Sequence, residues 1–336
     1  MRPFRPREAA YAGPGMTYLR SPLVLDPAEL AGVDIAIVGA PFDEGVTHRP
    51  GTRFGPRAIR MADHSGVGSR THMETGIDAQ AVLNIVDYGD IEAVPADLGA
   101  SHAVLRSTVR EILQAGATPI VLGGDHSLSA PMMMAIADQF GPDGYAIVHF
   151  DTHADTGFEA EGTANNHGTP FYRGVTEGFM RGDHIMQIGL RGSWPSPSEF
   201  DWMRDAGFHW RTMDEVIDLG LPAIVEEAIE YATSKAPRVY LSVDIDVLDP
   251  AFAPGTGTPE PGGLMTRELL QAIRRITSAV NICAMDMVEV SPPYDVSEVT
   301  AMAAHRVVLE TITGIARYRT GAESRPQRSR VVDYAR

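Results

Sequence analysis

The stretch His149–Asp155, reading His-Phe-Asp-Thr-His-Ala-Asp, constrains this chain more than any other. It follows the apolar run Tyr145-Ala146-Ile147-Val148, which places it at the end of a buried strand. Asp151, His153 and Asp155 occupy positions i, i+2 and i+4. In extended backbone those side chains project from one face, because strand side chains alternate. Packing does not explain such a cluster, since charged residues are rarely buried unless paired or metal-bound. The spacing points to half of a two-metal hydrolase site.

The rest of the chain supplies a sheet for that strand. Apolar strands are expected over residues 34–38, 84–88, 118–122, 146–150, 185–190, 238–243 and 282–290. Helices are expected over 99–114, 130–140, 196–206, 221–233, 266–276 and 299–316. A Gly/Pro-punctuated loop at 45–60 enters a further helix, with Pro56 where a first helical turn accepts it. This alternation predicts an α/β domain with a mainly parallel sheet between helical layers. Residues 1–30, rich in Pro and Gly, read as an arm packing on a neighbouring subunit, 31–317 as one catalytic domain, and 318–336 as a polar, partly disordered tail.

With 336 residues, 44% of them hydrophobic, the chain can build a large core without staples. Against 44 acidic residues there are 28 basic ones, a formal charge of −16. That excess argues against a nucleic-acid partner and favours cations and cationic substrates, although solubility explains most of the charges equally well. The single cysteine, Cys283, excludes an intrachain disulfide and fits a cytoplasmic protein. No secretory signal is expected, because no apolar run follows Arg2, Arg5 and Arg7. No apolar run reaches the roughly 18 residues of a membrane span, so no membrane partner is expected.

In parallel sheets ligands bind beyond the carboxyl ends of the strands. Three strand ends here carry candidate ligands: His126; Asp151, His153 and Asp155; Asp244 and Asp246. Two histidines and four aspartates suit Mn²⁺, with Ni²⁺, Co²⁺ and Zn²⁺ as alternatives. Carboxylates can bridge, so these six suffice for two ions about 3.5–4 Å apart. Taken singly, Asp125, Asp244 and Asp246 read as caps or turn residues and His126 as an interior histidine. Jointly, at three corresponding strand ends, those readings fail. His149 reads as a core or supporting residue. His48 and Arg49 either line a pocket or belong to a solvated loop.

The segments Gly123–Ser127 (GGDHS), His149–Thr156 (HFDTHADT), Ser242–Pro250 (SVDIDVLDP) and Ala253–Gly263 (APGTGTPEPGG) resemble the ureohydrolase family of arginases, agmatinases and guanidino-acid hydrolases. The motifs occur in the family's order, and the resemblance covers residues 34 to 316. It implies an arginase-like three-layer α/β/α fold, a homohexamer or trimer, and a binuclear centre of Mn²⁺, with Ni²⁺ possible. By motif, one metal falls to His126, Asp151, Asp155 and Asp244, and the other to Asp151, His153, Asp244 and Asp246. The resemblance makes His167 a proton shuttle and Glu289 the anchor of a cationic guanidino substrate. Water shared by the metals then attacks the guanidinium carbon, Asp155 orients it and carries its proton, His167 relays to solvent, and urea and an amine leave.

On substrate, Thr156-Gly157-Phe158-Glu159 lacks the Asn-bearing pattern of arginases. The loops at 255–263 and 291–295 look like the agmatinase and guanidinobutyrase branch, which makes agmatine the expected substrate. Guanidinobutyrate, guanidinopropionate, guanidine and biguanides are alternatives. Trp194, Phe200 and Trp202 either narrow a pocket or, for Phe200 and Trp202, serve helix packing. A formiminoglutamate hydrolase needs basic pocket residues, for which Arg49 and Arg191 are the candidates. A structural subunit of a heteromeric assembly would lack ligands, and all six are present. Single-zinc deacetylase relatives would not need His153 with both Asp244 and Asp246.

Overall fold

The computed structural model describes residues 16–63, 71–159 and 162–321. In chain order the elements begin β1 (Ile35–Ala40), α1 (Gly55–Met61), α2 (Ala79–Val82), β2 (Ile85–Asp90), α3 (Leu98–Gln114) and β3 (Thr118–Gly123). There follow α4 (Ser129–Phe140), β4 (Ala146–Phe150), α5 (Pro170–Thr176), β5 (Ile185–Leu190), α6 (Pro197–Ala206), β6 (His209–Thr212) and α7 (Met213–Leu219). The last are α8 (Leu221–Lys235), β7 (Val239–Asp244), α9 (Thr266–Thr277), β8 (Ile282–Val288) and α10 (Val299–Thr320).

The eight strands form one sheet in the order β2-β1-β3-β8-β7-β4-β5-β6, and every pairing is parallel. Strand alternation splits the core in two. Ile35 and Ile37 of β1 join α1, α8, α9 and α10 on one face, while Ala36 and Val38 join α3, α4 and α6 on the other. The result is the expected three-layer α/β/α architecture. Because all strands run the same way, their carboxyl ends meet at one edge. β3, β8, β7 and β4 are consecutive in the sheet, so the motif-bearing strand ends are immediate neighbours.

Four elements escaped the sequence pattern: the short helices α2 and α5, the edge strand β6 and helix α7. The edge strand β6, His-Trp-Arg-Thr, has no apolar alternation, and none of its residues is fully buried. Helix α7 follows at once, set by a capping box in which Thr212 Oγ1 accepts from Glu215 N–H and Glu215 accepts from Thr212 N–H. Strand β8 ends at Val288 rather than Val290, because Glu289 turns left-handed with φ +63°. The last helix runs past Ala316 to Thr320.

Residues 16–30, expected in an arm, pack on this chain's own sheet. Tyr18 is fully buried, its hydroxyl donates to His305 O at 2.7 Å, and its N–H donates to Asp87 Oδ2 at 2.8 Å. The apolar Tyr18 and Leu30, both at 0% exposure, supply the driving force. Residues 1–15 and 322–336, the remainder of the expected arm and nearly all of the expected tail, lie outside the described residues. No helix among the described residues is long and apolar enough to cross a membrane.

The helical layer under the sheet is tied by a charge cluster on Glu310 of α10. Arg274 of α9 donates through Nε and Nη2 at 2.7 and 2.9 Å, Arg306 through Nε at 3.0 Å, and His72 lies at 2.9 Å. Burial alone would raise this carboxyl, but Arg274 and His72 pull it down to about 2. A depressed carboxyl stabilises the fold above its unfolded pKa and loses that effect as pH falls through the folded value. A shift of this size corresponds to about 3 kcal/mol. Glu310→Gln is therefore expected to be less stable than wild type above about pH 5, with the gap closing toward pH 2. Denaturant unfolding of both proteins across that range measures it; a pH-independent gap contradicts the assignment.

Candidate metal centre

Three of the four central strand ends deliver the six predicted ligands to one place. The turn after β3 carries His126, the segment after β4 carries Asp151, His153 and Asp155, and β7 ends in Asp244 with Asp246 two residues on. Cross-strand register explains the meeting. Phe150 pairs with Val243, so Asp151 and Asp244 emerge side by side.

His126 Nδ1 lies 3.1 Å from Asp151 Oδ2, 2.8 Å from Asp155 Oδ2 and 3.2 Å from Asp244 Oδ2. His153 Nδ1 lies 3.5 Å from Asp151 Oδ1 and 3.3 Å from Asp246 Oδ2. Asp151 thus presents one oxygen to each histidine. All of these residues except His153 are buried. Local backbone holds several carboxylates: His153 N–H donates to Asp151 Oδ1 at 2.5 Å and Asp246 N–H to Asp244 Oδ1 at 2.8 Å. Asp155 has φ +52°, a strained left-handed conformation for a residue with a Cβ.

Electrostatics leave the cluster unbalanced on its own. Burial and the neighbouring Asp246 and Asp151 push the Asp244 carboxyl well above the usual range. Burial also opposes the charge on Asp151, yet the neighbouring imidazoles of His126, His149 and His153 hold its carboxyl well below the usual range. Burial opposes charge on His126 too, but Asp155, Asp151 and Asp244 draw a proton to it, well above 6.5. A proton and a cation therefore compete for the same place.

His126 Nδ1 is buried without a hydrogen-bond partner. A bare imidazole nitrogen facing three carboxylates is a donor set that fits a divalent ion of borderline character. Two groups of candidate ligand atoms lie within 4.8 Å of one another: His126, His149 and Asp151, and Asp151, His153 and Asp246. His149 belongs to the first only as support, because both its nitrogens are engaged, Nε2 with Asp151 Oδ2 at 2.9 Å and Nδ1 with Gln187 at 3.0 Å. Asp155 and Asp244 also face His126 Nδ1, at 2.8 and 3.2 Å.

Beside the cluster stand His167 and Glu289. His167 Nδ1 lies 3.0 Å from Glu289 Oε1, which also accepts from His126 N–H at 2.8 Å. The other nitrogen, Nε2, meets Thr47 Oγ1 at 2.7 Å. Burial lowers the pKa of His167, but the Glu289 carboxylate outweighs that and raises it to about 9. Glu289 Oε2 is buried without a partner. Asp125 is a cap, as one reading held: it accepts from Ser127 N–H at 3.0 Å and from Gly45 N–H at 2.9 Å, tying two loops of the site together.

A cavity of about 220 Å³ opens onto the cluster, lined among others by Thr47, His153, Asp155, Glu159, His167 and Trp194. Larger cavities, about 770 Å³ beside α3 and about 980 Å³ against α8 and α9, hold none of the ligands. Trp194 is the pocket aromatic, its ring 6.2 Å from that of His153. Phe200 and Trp202 pack against the core and do not line the cavity. His48 is exposed, and Arg49 stacks over Tyr294 at 5.3 Å. Arg191 is consumed by backbone carbonyls, including Asp246 O at 2.8 Å and Glu260 O at 2.6 Å. It holds the Asp246 loop and has no freedom to read a substrate carboxylate. Thr47 was not singled out in the sequence, although its neighbours His48 and Arg49 in the same loop were.

Residues 33–314 match the Arginase family. The chain belongs to it. Proclavaminate amidinohydrolase of Streptomyces clavuligerus is 40% identical over 301 residues, covering 90% of this chain and 93% of that one. The mitochondrial agmatinase of Gallus gallus is 40% identical over 84% of this chain and 81% of its own length. The guanidinobutyrase of Pseudomonas aeruginosa is 38% identical over 88% and 91%. The structure of the Streptomyces enzyme superposes with a TM-score of 0.81 at 38% identity, covering 92% of this chain and 99% of that one. A Trypanosoma cruzi formiminoglutamase with Mn²⁺ gives 0.79 at 27% identity, covering 89% and 98%.

Asp151 is the residue common to both groups. Asp151→Asn is expected to lose stoichiometric binding of a pair of divalent ions, measured by calorimetry with Mn²⁺ on stripped protein. Two ions bound with wild-type affinity contradict its shared role.

Proposed function

We propose that this chain hydrolyses agmatine to putrescine and urea with a pair of manganese ions. As a member of the arginase family it is an amidinohydrolase, a hydrolase of guanidino carbon–nitrogen bonds. His126, Asp151, Asp155 and Asp244 hold one ion, and Asp151, His153, Asp244 and Asp246 the other, with nickel as the alternative metal. The manganese-bearing relative supports the first choice. When bound, such a pair supplies Lewis acidity and lowers the pKa of water.

The observation that carries the reading is the partner-free Glu289 Oε2, buried behind His167. A buried carboxylate oxygen without a donor is costly, and a guanidinium supplies N–H donors in a planar fork. Glu289 anchors the guanidinium, and Asp155 orients the attacking water and takes its proton. His167 passes protons outward through Thr47, which is exposed.

The far end of the substrate decides between agmatine and the guanidino acids. Among the described residues no Lys or Arg lines the cavity, whereas Glu159 stands exposed at its wall. A carboxylate tail finds no lysine or arginine there to pair with. An ammonium tail finds Glu159 and the indole of Trp194, groups that attract a cation. We take the active species as a homo-oligomer, a hexamer or trimer, with residues 31–317 as its catalytic unit and a cytoplasmic location.

The test is urea release from agmatine, arginine, guanidinobutyrate, guanidinopropionate, guanidine and biguanides, with Mn²⁺ and Ni²⁺ compared. Agmatine is expected to give the highest kcat/KM. Glu159→Lys is expected to lower it about two- to fivefold for agmatine, the weight of an exposed ion pair, and to leave guanidine unchanged. A wild type that prefers guanidinobutyrate overturns the substrate.

A further inference from the structure

Directly beneath the ligands, four polar side chains cross the sheet. Gln187 of β5, His149 of β4, Ser242 of β7 and Asp286 of β8 are in register, each paired with the next. All four are at 0% exposure. They project toward the α3–α6 layer, whose core takes Ile185, Ile147, Tyr240 and Ala284 from the positions two residues earlier on the same strands. His149 and Ser242 precede Asp151 and Asp244 by two residues, so row and ligands share a face. Such a row is tolerated in a buried sheet only if its hydrogen bonds are made.

Those bonds have a direction. An ionised carboxylate only accepts. Asp286 Oδ1 takes Ser242 Oγ–H at 2.9 Å, and Oδ2 takes Ser129 Oγ–H at 2.8 Å together with the Tyr240 hydroxyl. Ser242 has one proton and spends it on Asp286, so toward His126 Nε2, 3.0 Å away, its oxygen accepts. His126 then carries its proton on Nε2 and leaves Nδ1 bare toward Asp151, Asp155 and Asp244. At the other end Gln187 Nε2 donates to Ala154 O at 2.7 Å and to His149 Nδ1 at 3.0 Å. The reversed amide would set its oxygen against that carbonyl. His149 therefore carries its proton on Nε2 and donates to Asp151 Oδ2 at 2.9 Å.

We propose that the Ser242–Asp286 end of this row, with Asp286 as its terminal acceptor, decides which nitrogen of His126 faces the cations, making Asp286 a positioning residue for metal loading. The inference rests on the binuclear reading of the site. Asp286→Asn preserves shape and reverses direction. With its oxygen kept toward Tyr240 and Ser129, the new amide donates to Ser242, whose hydroxyl turns to donate to His126 Nε2. The proton of the ring then sits on Nδ1, where the ion belongs.

The experiment is Mn²⁺ titration of stripped wild type, Asp286→Asn and Ser242→Ala, followed by calorimetry and electron paramagnetic resonance, with thermal unfolding of the metal-free proteins. In Asp286→Asn one of two ions is expected to weaken about 10- to 100-fold, the scale seen when a ligand's hydrogen-bond partner is lost. The coupled spectrum of the pair gives way to that of an isolated ion, and metal-free unfolding stays near wild type. Two ions held with wild-type affinity overturn the proposal, and so does equal loss of both ions with a collapsed metal-free fold. If Asp286→Asn does not fold, Ser242→Ala decides by the same criteria. A wild type that takes no metal pair overturns the binuclear reading itself, which separates the two failures.

Discussion

Four aspartates buried at one edge of a parallel sheet are the constraint on which this structure depends. Asp151, Asp155, Asp244 and Asp246 lie within reach of two histidine nitrogens and are largely shielded from water. Uncompensated, such charges repel strongly at low effective dielectric. Protein groups relieve this unevenly, holding Asp151 ionised while pushing Asp244 toward the neutral form. Divalent cations remove the conflict, and the partner-free His126 Nδ1 marks where one belongs.

The scaffold meets that constraint with adjacency. Strands β3, β8, β7 and β4 are neighbours in space though far apart in sequence, so each contributes a short polar turn to a shared edge. Two of the residues there, Asp155 and Glu289, accept left-handed backbone to point their carboxylates inward. Arg191 reinforces the edge by gathering carbonyls from the Asp246 and Glu260 loops, a use of arginine that no charge count reveals.

The site is also layered. The candidate ligands lie at the strand ends, a row of hydrogen-bonding residues lies one rung below, and apolar core lies beneath that. The layering lets an apolar sheet support charged ligands, because each polar atom passes its hydrogen bond to the next until an acceptor-only carboxylate ends the chain. The cavity above is small, walled by Trp194 and without a lining Lys or Arg among the described residues. Its shape and sign bear on substrate, while the ligand cluster bears on chemistry.

Much of this was legible in the amino-acid sequence for a definite reason. Period-two spacing puts Asp151, His153 and Asp155 on one face whatever surrounds them, and the same holds for Asp244 with Asp246. Alternating apolar strands and amphipathic helices likewise determined a parallel three-layer fold. The short edge strand β6 was not legible, because its four residues are all partly buried and show no apolar alternation. Nor was the packing of Tyr18 onto Asp87 and His305, which are distant in sequence. Asp286 did leave a signal, a charge inside the apolar run of β8, but its meaning depended on Ser242 and Tyr240 of the adjacent strand. Ligand identity is local and follows from spacing along one strand. Proton direction, pocket lining and the employment of Arg191 are non-local, and only the register between strands decided them.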